Sequence, residues 1–308
     1  MVTDLTIIVI GKNEEVILDR CFSSINKITN NIIYVDSDST DNSINIAKKY
    51  SDIKIISLKT KNYFHTASLA RSIAAKEVKT RFIQFIDADM TLDENWIVVA
   101  KERLNKEADL AAVVGYKKEF HSVNSNQFKL KKDKKEFYPD YLGGAFMIKK
   151  KDYDASGGFD PLVPWDEERD LYLRILKIKK YVLYLNILMA NHYDYKTRNR
   201  GLKFILLNEK HKCFWRIIWK VMKYFNFKNY FFVYRYALVF LLADIISLYF
   251  LIRIDLMNLI ILQGLSLLFG VLIKRKGLYF YWKSILISSI YLLTPKKKFL
   301  QIEYLFNK

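Results

Sequence analysis

Four short apolar runs, residues 5–10, 31–35, 53–58 and 82–86, are each followed by polar residues, and the first three lead into segments of helical spacing. After the first run, Val16, Ile17, Cys21 and Ile25 recur at helix-face intervals, and residues 41–50 and 66–77 repeat the pattern. Apolar strands alternating with helices pack as a parallel sheet covered on both faces. Ligands of such sheets bind beyond the carboxyl ends of the strands. Asn13 and Glu14 follow the first run, Asp36 the second, and Asp87 and Asp89 the fourth. The polar residues therefore collect where a site belongs.

Further along, the pattern predicts a helix over 95–105, a strand over 109–115 and a mobile polar loop over the Lys-rich stretch 117–135. A strand over 146–148 follows Gly143 and Gly144, then a helix over 165–178 and a last strand over 181–185. A boundary is expected near residue 200, where the charge balance changes. Of 50 Lys and Arg and 32 Asp and Glu, residues 201–308 hold 17 and 4, leaving 33 and 28 to residues 1–200. Two modules follow, a nearly neutral domain over 1–200 and a basic one over 201–308.

In the basic module the positive residues flank long apolar runs, which favours a membrane surface over nucleic acid. Lys212, Arg216, Lys220 and Lys223 form one stripe, as on an amphipathic helix lying among lipid headgroups. Residues 237–252 and 256–273 are each close to the minimum for a span, about 17 residues, and with only 253–255 between them they read as a hairpin. The basic clusters 274–276 and 296–298 would both face the cytoplasm, with 278–293 at the interface. Residues 1–10 lack the basic start of a signal peptide. Cys21 and Cys213, far apart, give neither a disulfide framework nor a zinc site and suit a reducing compartment. The expected location is the cytoplasmic membrane, with the first module on its cytoplasmic side.

Asp87 and Asp89, at positions i and i+2 on a strand end, point the same way. Such a pair suits Mg2+ or Mn2+, which prefer carboxylate oxygens and keep waters or phosphates in their shell. By itself Asp-x-Asp is also an ordinary solvated turn. In the run 36–41 (DSDSTD) Thr40 or Asp41 is expected to cap the following helix, leaving an exposed Asp36 free for a ligand.

The runs 7–15 (IIVIGKNEE), 34–43 (YVDSDSTDNS) and 85–89 (FIDAD), with Ala70 and Arg71, and Gly143 and Gly144 before 165–174 (WDEERDLYLR), resemble the family 2 glycosyltransferases in order and spacing across roughly residues 4–200. The resemblance implies a GT-A fold, an α/β nucleotide-binding mixed sheet with helices on both faces, here followed by the helical membrane module. It implies that Asn13, Glu14 and Asp36 bind the base and ribose of a nucleotide diphosphate sugar, with Arg71 on the nucleotide side. Asp87 would approach the ribose and Asp89 would ligate Mn2+ or Mg2+. Glu168 stands where the family has its catalytic base, commonly Asp, and Glu167 or Asp166 are the alternatives. Glu is one methylene longer but chemically adequate. Asp38 and Asn42 replace frequent glycines, and both residue types tolerate left-handed backbone. His192 resembles a histidine that completes the metal shell; a structural histidine is the other reading. Arg198 and Arg200 would either clamp the diphosphate or simply form a basic linker.

The expected activity is metal-dependent inverting transfer of a sugar to a lipid-linked or polysaccharide acceptor, with membrane lipids as partners and no nucleic acid. Transfer to polyprenyl phosphate is the alternative, and a non-catalytic nucleotide-sugar-binding membrane protein a third reading.

Overall fold

The computed structural model describes residues 1–58, 65–120, 128–131, 135–139, 141–161, 167–194, 257 and 304–307. The chain divides into two compact units, Met1–Arg198 with Lys298–Lys308, and Asn199–Lys297. The expected amphipathic helix, membrane hairpin and interfacial segment lie outside the described residues, as do Asp166, Arg198 and Arg200. Among the described residues no helix is long and apolar enough to cross a membrane.

The first unit is built on a mixed sheet. Its strands are β1 (Leu5–Gly11), β2 (Ile32–Asp36), β3 (Ile53–Leu58), β4 (Phe82–Asp87), β5 (Met90–Leu92), β6 (Leu110–Phe120), β7 (Phe128–Lys131), β8 (Phe146–Lys149), β9 (Tyr181–Tyr193) and β10 (Tyr304–Asn307). They run in the order β10-β3-β2-β1-β4-β8-β6-β9-β5, with β7 beside β6. Strands β1 to β4 pair in parallel, as their mostly apolar sequences predict. The sheet is not parallel throughout, since β8 is antiparallel to both β4 and β6.

Among the described residues it is covered by α1 (Leu18–Ile25), α2 (Ser43–Ala47), α3 (Ala67–Lys76), α4 (Glu94–Lys106), α5 (Lys150–Ala155) and α6 (Glu167–Lys177). Because side chains alternate along a strand, Leu5, Ile7 and Val9 enter a core with Phe22, Ala47 and Trp96 of α1, α2 and α4. Ile8 and Ile10 enter a second core on the opposite face, with Leu69, Tyr153 and Leu171 of α3, α5 and α6. Burial on both faces explains why these strands carry no polar stripe.

Several expectations need correction. The stretch 117–135 is not wholly a loop: Lys117–Phe120 complete β6, and β7 pairs with them. Strand β9 runs eight residues beyond the expected 185 and contains His192. Residues 15–17 form a turn before α1, and β5 and α5 had no expectation. The last strand, β10, lies antiparallel to β3 on the sheet edge, although its residues had been read as part of the basic module.

Candidate active site

The carboxyl ends of β2, β1 and β4 lie side by side, with Gly11 in register with Asp36 and Ile10 with Asp87. Gly11 is required by this closeness: a Cβ there would stand 2.7 Å from Cβ of Ala88. The loops after β1 and β2 are tied together. Asn13, in left-handed backbone at φ 56°, donates its amide N–H to Ser39 Oγ and accepts from Thr40 N at 2.8 Å, and Glu14 N donates to Ser43 Oγ. Asp38 adopts φ 62°, the geometry that a glycine usually supplies. The cap expected of Thr40 or Asp41 is not formed: the residue before α2 is Asn42, without a side-chain cap, while Asp41 Oδ1 accepts from Ser43 N at the helix start.

Asp36 is buried rather than exposed. Its carboxylate accepts from Ser39 N at 2.9 Å, Ser39 Oγ and Tyr34 Oη, and these bonds make its burial tolerable. It braces the loop and brings a negative charge to its floor. Asn13 and Glu14 line the same junction.

Arg71 organises the second half of the site. It stands one turn into α3, whose N-terminus is capped by Thr66 Oγ1 accepting from Leu69 N. Its side chain is 2% exposed. Nη2 donates to Asp87 Oδ1 at 2.7 Å, and Nη1 to Glu167 Oε1 at 2.9 Å and Glu168 Oε1 at 3.1 Å. Phe159 supports the guanidinium from 5.4 Å. Burial alone would favour loss of the positive charge, but Asp87, Glu168 and Glu167 more than offset it. Arg71 thus joins strand β4 to the start of α6. Gly144 closes over Asp87, where any Cβ would collide with Oδ2 at 2.2 Å.

One guanidinium cannot neutralise three carboxylates. Burial, followed by the neighbouring Glu168, pushes Glu167 up to about 8. Burial also raises Asp87, although Arg71 opposes it. Glu168 is more open, with 19% of its side chain exposed, and among the described residues its Oε2 has no hydrogen-bond partner. Both glutamates lie in the first turn of α6, where the helix dipole favours negative charge.

Asp89 points elsewhere. Its Oδ2 is 3.4 Å from His192 Nε2, and among the described residues its buried Oδ1 has no partner. Burial pulls the His192 imidazole down, but its bonds to Asp89 and Glu119 outweigh this and raise it to about 9. A carboxylate with an orphaned buried oxygen beside an imidazole fits a divalent cation. Among the described residues no three His, Cys, Asp or Glu side chains are grouped to hold a metal by themselves. Mg2+ and Mn2+ sites shared with substrate phosphates need only one or two protein ligands.

The sequence model of glycosyl transferase family 2 matches residues 6–160, half of the chain. The chain belongs to glycosyl transferase family 2. No curated protein sequence matches it at a significant level. Among solved structures it is similar to S. aureus TarS residues 1–349 in complex with UDP-GlcNAc, at 14% identity and TM-score 0.52, covering 74% of this chain and 75% of that one. It is also similar to S. aureus TarS, at 15% identity and TM-score 0.51, where the match covers 74% of this chain and 45% of the other. At such identities the likeness is one of fold.

The family match ends before α6, so Glu167, Glu168 and His192 rest on geometry alone. The structure brings Arg71, Asp87, Glu167 and Glu168 into one cluster, and Asp89 and His192 into another beside it. Arg71 is buried and enclosed by Asp87, Glu167 and Glu168. Sequence reasoning missed Glu119, because the Lys-rich segment around it resembles a loop. The run Tyr116-Lys117-Lys118-Glu119-Phe120 carries no apolar alternation that would have marked it as strand.

Proposed function

We propose that this family 2 glycosyltransferase moves a sugar, with inversion, from a nucleotide diphosphate sugar to a lipid-linked or cell-surface glycan at the cytoplasmic membrane. The observation that carries the reading is the division of acidic side chains into two groups. One meets Arg71 at the start of α6, and the other meets His192 beside β5. A donor with a charged diphosphate and an acceptor hydroxyl needs this separation. Asn13, Glu14 and Asp36 take the base and ribose, as the loops after β1 and β2 allow. Asp87, fixed by Arg71 and covered by the Gly144 backbone, meets the ribose on the sugar side.

Glu168 accepts the acceptor proton. Its Oε1 is anchored by Arg71 while among the described residues Oε2 has no partner, whereas Glu167, more deeply buried against Arg71 and raised by that burial, serves as a brace. The acceptor oxygen forms its bond to the anomeric carbon as the bond to the diphosphate breaks, and the proton passes to Glu168. Asp89 and His192 would hold Mn2+ or Mg2+, which supplies charge neutralisation at the leaving diphosphate. The TarS complex with UDP-GlcNAc supports a nucleotide sugar as donor. The basic, apolar composition of residues 201–308 supports a membrane-held acceptor.

The test is transfer or slow donor hydrolysis with a panel of nucleotide sugars, with and without Mn2+. Asp89→Asn should lose activity by at least ~100-fold with its fold retained, the scale expected when charge stabilisation in a transition state is removed. Glu168→Gln should lower turnover far more than donor affinity. Near-normal turnover in Asp89→Asn would refute the metal assignment, and a defect confined to donor binding in Glu168→Gln would reassign the base.

A further inference from the structure

Glu119 has no place in the reading above, yet the sheet delivers it to His192. Strands β6 and β9 run in parallel with irregular register around Gly115 and Tyr116. Between Gly115 and Lys117, a step of two residues, β9 advances from Leu185 to Ala190. Gly115 permits the bulge, since a Cβ there would meet Ile187 O at 2.7 Å and Met189 Cβ at 2.8 Å. Beyond the bulge Glu119 is the register partner of His192, while Met90 of β5 flanks His192 on the other side. Tyr193 N donates to Asp89 O and Asp194 N to Phe120 O, and the Phe120 and Tyr193 rings stack 5.0 Å apart. Backbone and rings together hold this corner.

The side chains use this placement. Glu119, only 8% exposed, accepts from His192 Nδ1 at 2.6 Å. Nε2 is then the nitrogen turned to Asp89, whose buried Oδ1 has no partner among the described residues. A carboxylate on the far nitrogen of an imidazole fixes the ring's tautomer and orientation and strengthens its lone pair as a metal ligand.

We propose that Glu119 is the positioning residue of the cation site, holding His192 so that Nε2 and the Asp89 carboxylate take one divalent cation together. The proposal rests on the metal-dependent reading of the site and adds a residue outside the Asp87–Asp89 motif.

The full chain would be titrated with Mn2+ in the presence of UDP, with free Mn2+ followed by electron paramagnetic resonance. Glu119→Ala should weaken Mn2+ binding about 10- to 100-fold. Glu119→Gln, which keeps the shape and one acceptor oxygen, should lose less and so guards against a folding defect. A second readout needs no metal: in histidine-labelled protein held above pH 9, where the His192 imidazole is neutral, 15N shifts should show the proton on Nδ1 in the parent and in Glu119→Gln, but mixed tautomers in Glu119→Ala. Mn2+ affinity within about twofold of the parent in Glu119→Ala, while Asp89→Asn loses Mn2+, would overturn the role of Glu119 and leave the metal reading intact. Failure of the parent chain to bind Mn2+ would overturn both.

Discussion

Arg71 brings one positive charge to three carboxylates, and the surplus negative charge has a consequence for stability. Glu167 is raised from 4.5 to about 8 by burial and by Glu168, so the folded chain holds that proton more tightly than the unfolded chain does. The resulting contribution to stability is fully present below about 4.5 and is lost as pH rises through 8. Glu167→Gln fixes the side chain in a neutral form. Its thermal midpoint should rise relative to the parent as pH is taken from 4 to 9, and a pH-independent difference between the two proteins would show that Glu167 does not carry the proton. At this scale the strand-end placement of Asp36 and Asp87 was legible, because a carboxylate that closes an apolar run marks where the strand leaves the core. Their surroundings were not. Asp36 is buried because Tyr34 and Ser39 satisfy it, and Arg71 turns inward because Glu167 and Glu168 arrive from a helix almost 100 residues away.

Helix α3 positions Arg71 and begins at one defined point. Thr66 accepts from Leu69 N, relieving one of the amide donors that a helix N-terminus leaves unpaired. Thr66→Ala should cost about 1 kcal/mol. Chemical denaturation should show a lower midpoint with an unchanged slope, whereas an unchanged midpoint would mean that another group caps the helix. Elements such as β1 to β4 could be read from the sequence because both faces of these strands are largely buried, giving runs that are apolar but for single residues such as Lys54 and Gln84. The end of β6 could not. There the sheet emerges from its helical cover, the residues become half-buried, and Lys117, Lys118 and Glu119 imitate a solvated loop. Strand β9 also outruns its expected end, because Asn186, exposed at the bulge, interrupts the apolar run before the buried Met189 and Ala190 resume it and the strand reaches His192. Local periodicity reports burial, and here pairing outlasts burial.

At the level of the whole chain, charge and hydropathy change together after residue 200. The last 108 residues combine 17 Lys and Arg against 4 Asp and Glu with the apolar runs 237–252 and 256–273. Electrostatic attraction to anionic lipid contributes about 1 kcal/mol for each Lys or Arg near the surface and is screened by salt. Insertion of apolar runs is not screened. The proposed membrane-held acceptor requires the second mode, with the first directing the approach. Binding to vesicles of phosphatidylcholine and phosphatidylglycerol separates the two. Replacing Lys274, Arg275, Lys276, Lys296, Lys297 and Lys298 by Gln should slow and weaken association at low salt. Once bound, the parent chain should stay with the vesicles through a wash in about 1 M salt, where the screening length falls to about 3 Å. Release of the parent chain by that wash would mean that charge alone holds it, and an acceptor embedded in the bilayer would then lose its main support.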